Sequence, residues 1–272
     1  MKQIILIISL ISYSFGYWNL DNSYERNSNR EDSVTTHFDI TYGVYLIDVT
    51  SSELSRAIDY KVLEATIGIA KSFGNFHIGV NTKILIDEVY SNLSLESNPL
   101  EDSANIDKQD FSLYLNYTLS ESSLVNIIYK YYKLEANDKY INFREYDTYF
   151  NYTSQALAIS YIYTYPFDYN NDIKLFFSLG GVYGNAKVEI YENINGVRDD
   201  VSINDSQNAL GIKLAMGYNY RYDNYNFKIL ANWYDYNFGK LDVDSNILNK
   251  SIEEATLKEQ TYSILFGISR RF

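Results

Sequence analysis

Apolar and polar residues alternate with a period of two along most of the chain. Phe38, Ile40, Tyr42, Val44 and Leu46 share one parity, while Asp39, Thr41, Gly43 and Tyr45 take the other. A period of two puts successive side chains on opposite faces of a strand. Gly74-Asn75, set between two such stretches, is a two-residue hairpin signal that fixes a register. Phe73 must then face Phe76, with Ile69 opposite Val80, Ile67 opposite Thr82, Ala65 opposite Ile84 and Leu63 opposite Ile86. Both strands place their apolar sets on one side of the ladder, and a slip of one residue would separate them.

The unit recurs. Phe111, Leu113, Leu115 and Tyr117 turn at Ser120-Glu121-Ser122 into Val125, Ile127, Tyr129 and Tyr131. Leu157 through Tyr165 turn at 166–172 into Ile173, Leu175, Phe177 and Leu179, and Leu210 through Tyr220 turn at Asp223-Asn224 into Phe227, Ile229, Ala231 and Trp233. With a terminal strand this predicts an all-β, antiparallel up-and-down barrel of about ten strands, or about twelve if 140–153, whose parity is mixed, adds a hairpin. The turns are short, whereas 50–59, 91–109, 135–145, 192–208 and 241–260 read as five long acidic loops. Short periplasmic turns and long external loops are the rule for transmembrane barrels and orient the chain.

Composition sharpens this picture at a few points. After the first residues no run reaches the roughly 18 to 20 apolar residues that a membrane helix needs. Tyr and Phe number 29 and 14, enough for aromatic girdles at both membrane interfaces, and only 2 Pro interrupt the ladders. The formal charge of −12 opposes a nucleic-acid partner, and the absence of Cys excludes disulfides and thiolate metal sites. Lys2, the apolar run 4–11 and Ser14-Phe15-Gly16 have the order of a secretory signal peptide, giving 1–16 as signal, 17–34 as a polar periplasmic lead and 35–272 as barrel.

The last strand carries Tyr262, Ile264, Phe266 and Ile268 on one parity and stops at Phe272. It resembles the closing strand of the Gram-negative outer-membrane β-barrel superfamily. The resemblance implies a monomer in the bacterial outer membrane, with Tyr262, Ile264, Phe266, Ile268 and Phe272 read by the barrel-assembly machinery during insertion, and membrane lipid and lipopolysaccharide as neighbours. Arg270 departs from the apolar residue usual at its position.

Parity assigns Glu64, His77, Lys83, Asp87, Lys130, Lys174, Lys213, Arg221 and Lys228 to the lumen, with Glu64 and Lys83 diagonal neighbours. Such charges either pair into a polar plug or line a narrow pore that favours anions. Omptin proteases need Asp-x-His, and the outer-membrane phospholipase His-x-Ser; neither pattern occurs. The only histidines, His37 and His77, fall near the periplasmic mouth, with Ser72 the one hydroxyl near His77. Asp242, Asp244, Asn246 and Glu253 match four positions of a calcium loop, but Ile247 replaces its turn glycine and no helix flanks it. The expectation is a non-enzymatic pore or structural barrel with a narrow polar lumen and no cofactor. The alternative is a surface-binding, adhesin-like protein that acts through its external loops.

Overall fold

A computed structural model describes residues 33–50, 55–95, 105–142, 144–167, 173–194, 197–222, 225–245 and 253–271. Ten strands follow one another: β1 (Val34–Thr50), β2 (Ser55–Phe73), β3 (Phe76–Leu95), β4 (Asn105–Ser120), β5 (Ser123–Asn142), β6 (Arg144–Pro166), β7 (Ile173–Ile194), β8 (Val197–Tyr222), β9 (Tyr225–Ser245) and β10 (Glu253–Arg271). Each pairs antiparallel with its sequence neighbours, and β1 pairs with β10, closing the barrel. The stretch that partly matches a calcium loop is not a loop in its described parts. β9 runs to Ser245 and β10 starts at Glu253, so Asp242, Asp244 and Glu253 lie on strands, and Asn246 falls outside the described residues.

The Gly74-Asn75 hairpin has the expected register, with Phe73 opposite Phe76 and Ala65 opposite Ile84. Beyond that the ladder slips, so that Leu63 faces Asp87 instead of Ile86. Gly74 has φ 57°, in the left-handed region where a Cβ meets the backbone. Gly74→Ala should therefore lower unfolding free energy by about 1–2 kcal/mol, read by urea titration in detergent.

A strand crosses a bilayer with roughly 9–11 residues. These strands have between 16 and 26 and so continue well past the lipid. Near the periplasmic turns, the outward residues are apolar and exposed, as with Ile67, Ile84, Ile159, Leu179, Ile212 and Ile264. Farther out the pattern inverts. On β1 the inward parity runs from His37, Asp39 and Thr41 to Tyr45, Ile47 and Val49, all buried, while the outward parity passes from Tyr42 to exposed Asp48. The outward face is apolar along the turn-side half of the strands and polar along the far half, as a wall would be that meets lipid on one part and water on the other.

In water the outer half must bury its apolar side somewhere, and the place left is the barrel interior. Buried residues from nine strands, among them Val62, Ile106, Leu134, Phe150, Val188, Ile203, Leu241 and Leu257, form one cluster, with Leu85 of β3 packed against it. This cluster plugs the extracellular half of the barrel. The expected lumen, polar throughout, is thus corrected to a polar inner half beneath a dry outer one. The five expected loops are corrected as well: most of 50–59, 91–109, 135–145, 192–208 and 241–260 is strand.

Among the described residues, the shortest ladder in the wall is that between β3 and β4. β3 and β4 pair only from Phe76 opposite Tyr117 to Lys83 opposite Asp110. Above that point β3 runs on to Leu95 against β2 alone, and β4 starts at Asn105 against β5 alone.

Candidate functional site: a charged chamber beneath the plug

Where the plug ends, its tyrosines turn toward buried charge. Tyr45 stacks on Tyr60 with ring centroids 4.8 Å apart, and its hydroxyl donates to Glu64 at 3.0 Å. The Tyr60 and Tyr132 hydroxyls meet each other, and Tyr152 donates to Glu259 farther out. Glu64 also receives Lys83 Nζ at 3.2 Å and pairs with Lys108, whose ammonium lies 4.0 Å from the Tyr45 ring centroid. Asp110 lies 3.6 Å from Lys83 and 3.5 Å from Lys130. Two carboxylates thus hold three lysines in a chain that crosses β2, β3, β4 and β5. Burying charges is tolerable only with such pairing.

Nearer the periplasm, Lys228 Nζ pairs with Asp39 at 2.9 Å. A Cβ on Gly267 would collide with the Asp39 carboxylate and the Lys228 stem, so glycine makes room for the pair. Lys213 of β8 points inward, and its ammonium sits 5.6 Å from the Tyr234 ring centroid, with Lys130 at 5.8 Å from the same ring. His37 and His77 are buried, and Ser72 Oγ lies 2.9 Å from His77 Nδ1. Asp39, Lys83, Lys130, Lys213, Lys228 and Tyr234 are among the residues that line a cavity of about 130 Å³.

Of the residues assigned to the lumen by parity, Glu64, His77, Lys83, Lys130, Lys174, Lys213 and Lys228 lie on inward positions, and Arg221 sits opposite buried Asn226. Asp87 does not. The slip opposite Leu63 shifts its parity and leaves it exposed. The structure adds Lys108, Asp110 and Tyr45 to the cluster. Lys108 was hidden within a presumed loop, yet Ile106, Lys108, Asp110 and Ser112 continue the inward parity of Tyr114, which was the available signal.

Tyr262, Ile264 and Phe266 face outward and are exposed, and Phe272 falls outside the described residues. Lys71 and Arg270 lie over the rings of Phe73 at 4.7 Å and Tyr225 at 5.5 Å. Among the described residues no group of three or more His, Asp or Glu could hold a metal ion. Asp242 instead donates its backbone N–H to Asp205 Oδ2 at 3.0 Å. Burial pushes the Asp205 carboxyl up, but N–H donors from Asp242, Gln207 and Ser206 outweigh it and hold the group below its ordinary range.

No protein-family model matches the sequence, and no curated protein matches it. Solved structures do. The outer-membrane protease OmpT of Escherichia coli superposes with a TM-score of 0.54 over 93% of this chain and 100% of its own, at 14% identity. The translocator domain of the autotransporter NalP of Neisseria meningitidis gives 0.51 over 91% of each chain, at 11% identity. Identities this low speak for the fold alone. The closed antiparallel sheet and the outward apolar belt agree with that fold, and the chain has the β-barrel fold of these outer-membrane proteins.

Proposed function

We propose that the protein is a sealed, non-enzymatic structural barrel that holds a rigid β-walled extension above the outer membrane. The observation that carries this reading is the apolar plug: Val49, Val62, Leu134, Val188, Ile203, Leu241 and Leu257 are all buried across the bore. Ions need water or polar groups along their path, and an apolar constriction of this kind excludes both. Nothing in the charged cluster resembles a nucleophile held by a base in an open cleft. Its lysines are engaged by carboxylates and tyrosine rings. The ten strands close without a partner chain, which supports a monomer. The outward apolar set of β10 suits recognition by the barrel-assembly machinery, and its belt suits lipid and lipopolysaccharide.

Purified protein reconstituted in a planar bilayer should show no discrete ion-conducting steps. Sustained, ion-selective steps from the wild-type chain would overturn the sealed reading in favour of a pore. A second reading, binding at the cell surface, moves from loops to the strands themselves. Exposed Asp48, Lys61, Asp107 and Lys187 stand on the wet wall of the extension.

A further inference from the structure

We propose that the chamber beneath the plug is a binding site for a small inorganic anion of the halide class. Four inward lysines, Lys83, Lys130, Lys213 and Lys228, line it, and Lys108 joins the same cluster through Glu64, against three carboxylates that engage these lysines: Asp39, Glu64 and Asp110. Glu259 is farther out and is engaged by the Tyr152 hydroxyl. The cluster therefore keeps more ammonium charge than it neutralises.

The surplus is localised. Lys213 has no carboxylate partner among the described residues, and it shares the Tyr234 ring with Lys130. A tyrosine ring stabilises a cation without neutralising it. Asp110 at 3.5 Å offsets Lys130, so the charge left at this ring is that of Lys213, which an anion in the chamber would offset. Lys83 and Lys130 keep 21% and 22% side-chain exposure although they point inward, so their ammoniums open onto the chamber and not onto protein alone.

The space fits a small ligand. A volume of about 130 Å³ is on the order of four water molecules, enough for a halide with part of its hydration shell. The plug closes the outward route, which leaves entry from the periplasmic mouth past polar Asn116, Asn126 and Asn226. This site does not depend on the barrel being sealed, since a conducting barrel could hold the same anion.

The test uses the full chain in detergent at constant ionic strength, exchanging a bulky organic anion such as gluconate for bromide. The expected result is a saturable rise in unfolding temperature and an anomalous bromide peak within reach of Lys130 and Lys213 in crystals. Lys213→Met should lose the saturable rise, while Lys133→Ala, on the outer wall, should keep it. Identical stability in bromide and gluconate, or crystals with no bromide peak in the chamber, would overturn the proposal. So would a Lys213→Met variant with the full rise. If that variant does not fold, the bromide peak in the wild-type chain decides alone.

Discussion

Glu64→Gln should destabilise the barrel by about 3–5 kcal/mol, because it leaves Lys108 buried without its counter-charge. Both side chains are almost wholly buried, at 2% and 1% exposure, so solvent screening does little to soften the loss. Lys83 suffers less, since Asp110 still lies 3.6 Å away. The glutamine keeps an acceptor for the Tyr45 hydroxyl, so the change tests charge more than shape. Adding Lys108→Met should recover much of the loss, as an apolar side chain of similar length removes the stranded ammonium and rests on the Tyr45 ring. Urea titrations in detergent, followed by heat-modifiable gel mobility, would measure both steps. A single variant as stable as the wild type would show that the pair adds nothing to the fold.

Leu134→Ala should cost about 2–5 kcal/mol, while Lys133→Ala, one residue away, should stay within about 0.5 kcal/mol. Leu134 is fully buried in the plug, and truncating it leaves a cavity that ten surrounding strands cannot collapse around. Lys133 points into water and pairs there with Glu135. In the lipid-spanning part of a barrel the expectation runs the other way, with the outward residue apolar and the inward one polar. The contrast between these neighbours therefore tests the inversion of polarity along β5 directly. Equal effects at both positions would show that the outer half of the strand has no dry interior.

The sequence was most readable where a turn pinned the register. Gly74-Asn75 allowed the β2–β3 pairing to be counted outward residue by residue, and from that count Glu64 and Lys83 came out as neighbours, which the 3.2 Å contact bears out. The same count failed at Asp87, because the slip in the ladder leaves no mark in the alternation. The larger error was systematic. Ile47 and Val49, Leu134 and Ala136, or Ala255 and Leu257 carry the period of two as faithfully as the lipid belt does, but on the opposite parity. A reading tuned to apolar residues facing lipid takes such a change of phase for the end of a strand. Lys108 and the plug were lost together for that reason. Whether the interior is filled is likewise not a local property: it depends on residues from ten separate strands meeting across a bore that no single stretch reveals.

The short β3–β4 ladder has a mechanical corollary. Above Lys83 and Asp110 the cylinder is slit along one line, and a slit tube loses most of its resistance to opening while its intact rim below keeps its shape. Thermal breathing of the extension is then concentrated along that line, with the β3 and β4 edges spreading as two lips. The ion-paired lysines of Asp110 sit at the foot of the slit, where a crack would otherwise run downward, and act as its stitch.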